Sequence, residues 1–197
     1  MTMAYFSNDR IKSWFWLFGV EGPAAMSAMY YLYGNTFSNA VCPSSDVERF
    51  LWVAKHLCAV VAPTFLFLWG AMRAFDSDVK AEDPFAGVET ARWKTFQKIL
   101  TNNTEQTMLF IPSIISLALL VPAENWALVP TFLTSFVVGR ILFGVGYFVP
   151  TFPDNMFAPV FTLTGWGRSP GMNFTLYSMT FALNLSLYFL YKSYEYN

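Results

Sequence analysis

A bilayer-spanning helix needs about 20 mainly apolar residues, because each adds about 1.5 Å of rise across a hydrocarbon core of roughly 30 Å. Five stretches of this chain meet that requirement: Ser13 to Tyr33, Phe50 to Arg73, Ile99 to Val121, Trp126 to Val149 and Met172 to Tyr191. Their apolar runs are continuous rather than alternating, which predicts helices and argues against a β-barrel. Gly22-Pro23, Pro63 and Pro112 fall inside these runs. Prolines are tolerated there because neighbouring helices satisfy the freed carbonyls. Charged residues make up 13% of the 197 residues, about half the share that keeps a soluble domain wet. Aromatics reach 19%, an excess that suits lipid contact and interface anchoring. The first stretch contains Glu21 and ends in Tyr30-Tyr31-Leu32-Tyr33, too bulky for a signal-peptide cleavage site, so it reads as a retained helix. The expected fold class is an all-α membrane protein: an N-terminal extension over 1–49 with one transmembrane helix, then a four-helix transmembrane domain over 50–197.

The charge balance narrows the function. Lys plus Arg is 12 and Asp plus Glu is 13, a net charge of -1. That balance argues against a nucleic-acid binder, which needs a basic patch to displace counterions. Two cysteines and one histidine exclude a disulfide framework, a structural zinc site and a haem held by two histidines. Basic residues cluster at the N-terminus (Arg10, Lys12), between helices two and three (Arg73, Lys80, Arg92, Lys94, Lys98) and before helix five (Arg168). The positive-inside rule places those segments in the cytoplasm. The sequons Asn102-Asn103-Thr104 and Asn173-Phe174-Thr175 fall on that side and read as chance matches. The acidic run Asp76–Pro84 reads as a solvated loop, and the short link after Val121 as the turn of an antiparallel hairpin.

Ionisable groups inside a span are costly and usually face a bundle interior or a wet cavity. Glu21, Lys55-His56, Asn102 with Glu105, and Arg140 are the places where this chain carries such groups. Asn102 and Glu105 are three apart, and Arg140 and Tyr147 seven apart, so each pair shares a helix face. Glu105 is the carboxylate expected to partner Arg140. One reading makes that pair a helix-packing contact. The other makes it the wall of a pocket for a polar, anionic ligand, with Arg73, Lys98 and Arg168 adding positive charge.

Helix three opens Lys98-Ile99-Leu100-Thr101-Asn102-Asn103-Thr104-Glu105, helix four carries Gly139-Arg140 and then Gly146-Tyr147, and Arg168-Ser169-Pro170-Gly171 precedes helix five. This order resembles the MAPEG family, membrane-associated proteins in eicosanoid and glutathione metabolism. The resemblance covers about residues 50–192. It implies a homotrimer of helical bundles in an internal membrane such as the endoplasmic reticulum, with sites between subunits and glutathione bound toward the cytoplasm. By that resemblance Arg73, Lys98, Asn102, Glu105, Arg140 and Tyr147 would bind glutathione. Arg168, with Ser169 beside it, would be the catalytic group that stabilises the thiolate, since a guanidinium lowers a thiol's pKa. The chain departs from the family's pattern at Lys98, where arginine is common, at Thr101, at Phe143 in place of a polar contact, and in the long loop from Pro150 to Gly171.

Two functions follow. One is a glutathione-dependent transferase, peroxidase or isomerase acting on a lipophilic small molecule. The other is a non-catalytic lipid-binding adaptor, or a structural subunit of a larger membrane complex.

Overall fold

The computed structural model describes the backbone of residues 22–76, 91–151 and 169–195, and within these the side chains of 22–66, 97–145 and 171–195. Glu21, most of the acidic loop, the long loop before helix five and Arg168 lie outside the described residues. Among the described residues every regular element is helical: α1 (Gly22–Tyr31), α2 (Asp46–Asp76), α3 (Ala91–Leu120), α4 (Leu128–Thr151) and α5 (Ser169–Glu195). A π turn over Leu32–Thr36 follows α1, and a 3-10 turn over Ala123–Asn125 links α3 to α4. The π turn closes with the Phe37 amide donating to the Leu32 carbonyl at 2.8 Å.

Helix α2 begins before its apolar run because polar groups cap its N-terminus. The Glu48 carboxylate accepts from the Ser44 and Ser45 amides at 2.9 and 3.3 Å, and Ser45 Oγ accepts from the Glu48 amide at 3.3 Å. This reciprocal cap starts α2 at Asp46, four residues before the apolar run opens at Phe50. Arg49 Nη1 donates to the Val121 carbonyl at 2.8 Å, satisfying an acceptor just beyond the C-terminal end of α3, and its guanidinium lies 5.8 Å from the Trp126 ring centre. Trp52 meets Trp126 edge-on at 5.5 Å. These contacts gather the start of α2, the end of α3 and the start of α4 at one end of the bundle, here the capped end.

The chain then runs up and down, so that α3 touches α2, α4 and α5, while α1 lies against α5 and α4. Phe110 of α3 stacks on Phe136 of α4 at 3.9 Å in a buried core with Val53, Val60, Ile114 and Leu117. Pro112 lacks the amide that would bond one turn back. Around it, Ser113 Oγ donates to the Leu109 carbonyl at 2.9 Å, and Ser186 Oγ donates to the carbonyls of Ala182 and Ser113 at 2.6 and 3.2 Å. The second Ser186 bond pins α5 to α3.

Among the described residues two segments, Asp46–Leu66 and Ala123–Val145, are long and apolar enough to cross a membrane, against the five spans expected from the apolar runs. Large apolar side chains lie on the surface as well as in the core, and polar side chains are buried among the core residues. Asn103, Ser135, Arg140, Asn173 and Ser178 are buried, while Phe65, Leu66, Met108, Leu109 and Leu187 are exposed.

Candidate functional site

Arg140 sits where four helices meet and is 1% exposed. Its Nε donates to Thr175 Oγ1 of α5 at 2.9 Å, and its Nη1 donates to Asn102 Oδ1 at 2.9 Å and Asn103 Oδ1 at 3.5 Å, both on α3. Arginine has donors only, so each asparagine must turn its carbonyl oxygen toward it. Asn103 then has its amide nitrogen free to donate, and it does so to Thr64 Oγ1 of α2 at 3.0 Å. The Thr175 hydroxyl spends its own proton on the Gly171 carbonyl at 2.8 Å, which leaves its oxygen free to accept from Arg140. One guanidinium on α4 is thereby tied directly to α3 and α5, and through Asn103 to α2.

The three acceptors are neutral. The guanidinium is also placed over the Phe143 ring at 4.7 Å and near the Phe136 ring at 5.8 Å. Positions 136, 140 and 143 lie on one side of α4 at steps of four and three, so aromatic faces supply the partial negative charge that a carboxylate would otherwise bring. Glu105, the expected ion partner, is exposed. The reason is helical phase. Asn103 and Glu105 are two residues apart, about 200° around α3, so a helix that buries Asn103 must present Glu105 outward.

Close backbone approach sets the reach of the arginine. A Cβ on Gly171 would lie 2.6 Å from both the Phe143 Cα and the Gly139 carbonyl oxygen, and closer still to the Phe143 amide nitrogen. A Cβ on Gly139 would lie 2.7 Å from Thr175 Oγ1. Only glycine at these two positions lets α4 and α5 cross closely enough for Arg140 to meet Thr175.

The remaining expected site residues divide into two groups. Lys98, Asn102 and Glu105 share one stripe of α3, with Lys98 and Glu105 exposed and Asn102 half-buried. Since Asn102 spends its oxygen on Arg140, its amide NH2 is the group left to face outward. Arg73 and Tyr147 lie on described helix backbone, in α2 and α4, and Ser169 opens α5, but their side chains are outside the described residues, as is the whole of Arg168.

Thr64, Asn103 and Thr175 were not singled out by sequence reasoning. The one signal for Thr175 is its four-residue spacing from Gly171, which matches the spacing from Gly139 to Phe143 across the crossing. Among the described residues no three or more His, Cys, Asp or Glu side chains gather as a metal site. Comparison with protein-family models, with curated proteins and with solved structures finds no match to this chain.

Proposed function

We propose that this chain is a multi-pass membrane protein with a MAPEG-like four-helix bundle, and that it binds glutathione at the arginine end of α3 for reaction with a lipophilic substrate. The membrane part rests on the two long apolar helices and on the apolar side chains at the surface. Exposed Phe65, Leu66, Met108, Leu109 and Leu187 favour lipid contact over water. Tyr30, Tyr31, Tyr188, Tyr191 and Tyr194 are exposed toward the capped end, where α1 and α5 finish, and tyrosines there suit the headgroup interface.

The single observation that carries the ligand reading is the guanidinium of Arg140, whose hydrogen-bond partners among the described residues are all neutral. It lies about 18 Å along α4 from Leu128, within hydrocarbon depth, where a charged side chain costs about 2.5–3.5 kcal/mol or more and commonly marks a functional site. Arg140 is too deep to touch a ligand at the surface of one protomer. Its role in this reading is to orient Asn102, so that the amide NH2 faces the same stripe as Lys98 and Glu105.

That stripe offers a cation, an amide donor and a carboxylate along one side of a helix. A zwitterionic peptide with carboxylates and an ammonium matches the set: Lys98 and Arg73 for carboxylates, Glu105 for the ammonium, Asn102 and Tyr147 for the backbone. Glutathione, when bound, supplies a nucleophilic thiol, and Arg168 with Ser169 is assigned to hold it as the thiolate. A homotrimer would bury the exposed Lys98–Glu105 stripe between subunits.

A second reading is favoured by the Arg140 network itself, whose acceptors are all groups of the same bundle. In it the arginine is a packing lock and the chain is a lipid-binding adaptor or a structural subunit. Calorimetric titration of glutathione into detergent-solubilised protein separates the two. Micromolar-to-millimolar binding that is lost in Glu105→Gln supports the glutathione site. No heat of binding in a folded parent protein ends that reading and leaves the packing lock.

A further inference from the structure

Helix α5 carries a polar band on the face turned away from the bundle. Thr180, Asn184, Tyr188, Tyr191 and Glu195 follow one another at steps of four, four, three and four residues, and all are exposed. At about 100° per residue they fall within a band about 80° wide. Thr175, Ser178, Ala182 and Ser186 are buried and lie on the other side of the helix, about 160° from the centre of the band.

Asn184 is the member of this band that needs a partner. Its amide makes no hydrogen bond to another described residue. It lies about 6 Å on the core side of Tyr188, one of the tyrosines placed at the headgroup level. In hydrocarbon an amide without a partner is costly, and polar side chains on membrane helices are satisfied by hydrogen bonds across to another helix.

The chemistry of the band selects that helix. Copies of one chain inserted the same way have parallel helices, so across a two-fold axis along the membrane normal each residue faces its own counterpart at the same depth. A hydroxyl or a side-chain amide both donates and accepts and can pair with a copy of itself, whereas an ammonium or a carboxylate cannot. On their exposed faces α2 presents Lys55, and α3 presents Lys98 and Glu105, which would meet like charge. The face of α4 presents Val138, Ile141, Leu142 and Val145, with nothing to fix a register. Of these four helices only α5 is both neutral and self-complementary along its exposed band. The one charge there, Glu195, falls about 6 Å beyond Tyr191, on the water side where like charges are screened.

We propose that this band is a two-fold contact between two copies of the chain, α5 against α5, fixed in register by an Asn184–Asn184 hydrogen-bonded pair. Tyr188 and Tyr191 face their counterparts nearer the headgroups. The contact rests on the membrane part of the reading above and not on glutathione, and it leaves the charged stripe of α3 uncovered.

The test is disulfide crosslinking of the purified full chain in liposomes at a high lipid-to-protein ratio, with Cys42 and Cys58 replaced by serine and alanine. Asn184→Cys and Tyr191→Cys should give a dimer on oxidation. Leu183→Cys, exposed but about 100° from the centre of the band, should give little. In the parent background, Asn184→Leu, at a position clear of the core, should weaken energy transfer-detected association of labelled copies about 5- to 30-fold. Asn184→Gln, which keeps the amide, should retain most of it. Equal crosslinking at 183, 184 and 191 would mean random collision and would overturn the pairing. So would an absence of crosslinks, or unchanged association in Asn184→Leu; if the protein then still resists alkaline extraction from the bilayer, the membrane reading stands without the pair. Extraction of the parent protein by alkali would remove both.

Discussion

Gly171→Ala tests the close crossing that lets Arg140 reach its partner. The added Cβ would sit 2.6 Å from the Phe143 Cα and the Gly139 carbonyl oxygen, whereas unstrained carbon contacts lie near 3.5–4.0 Å. The obstructing atoms are backbone, so no side-chain rotation relieves the clash, and α5 must move off α4 by about 1 Å. Overpacking of this kind costs about 1–3 kcal/mol. The same displacement stretches the 2.9 Å bond from Arg140 Nε to Thr175 Oγ1 beyond useful geometry, and a hydrogen bond to a charged group is worth about 1.5–3 kcal/mol. Alanine returns somewhat less than about 1 kcal/mol in helix propensity near a helix start.

The expected net loss is about 2–5 kcal/mol, which corresponds to a fall in apparent Tm on the order of 10 °C for a chain of this size. The assay is thermal unfolding in detergent followed by circular dichroism. Gly34→Ala serves as the control, since a Cβ there meets nothing within 4 Å. A Gly171→Ala protein that melts with the parent would refute the crossing and, with it, the argument that Arg140 is locked by Thr175.

Further outcomes follow from the Arg140 network and from the capped end. Arg140→Lys should destabilise the bundle by about 2 kcal/mol, because an ammonium cannot span Thr175 and Asn102 together. A double-mutant cycle with Thr175→Val should show coupling of about 1–2 kcal/mol. Glu105→Gln should leave stability within about 0.5 kcal/mol of the parent, as expected for an exposed carboxylate outside the Arg140 network; a large loss would restore the ion pair. Arg49→Met should lower stability by about 1–2 kcal/mol through the orphaned Val121 carbonyl, detectable in the same melting assay.

The helices of the bundle were largely legible from the length and continuity of the apolar runs, and the ends were not. Asp46 begins α2 because Ser45 and Glu48 cap each other, and that signal lies in polar sequence which a search for apolar spans passes over. The α3–α4 hairpin was expected from the short link after Val121 and is present, although α4 makes its larger contact with α5.

Arg140 was visible as a charge that required an explanation, and so was Asn102 as a polar group expected at the same end of the bundle. Electrostatics alone favoured Glu105 as the partner, since a carboxylate is the strongest available complement. What overruled it was the rotation of α3 about its own axis, fixed by packing Asn103, Phe110 and Ile114 inward.

Composition and periodicity therefore established that this chain folds into helices, two of them long and apolar enough among the described residues to cross a membrane, because those properties are local and repeat along the backbone. Which groups surround the arginine is a different kind of quantity. Asn102 and Thr175 stand 38 and 35 positions from it, and they meet it only because two glycines allow one helix pair to close and the core sets the phase of a third. Such contacts depend on several helices at once, so no local pattern encodes them.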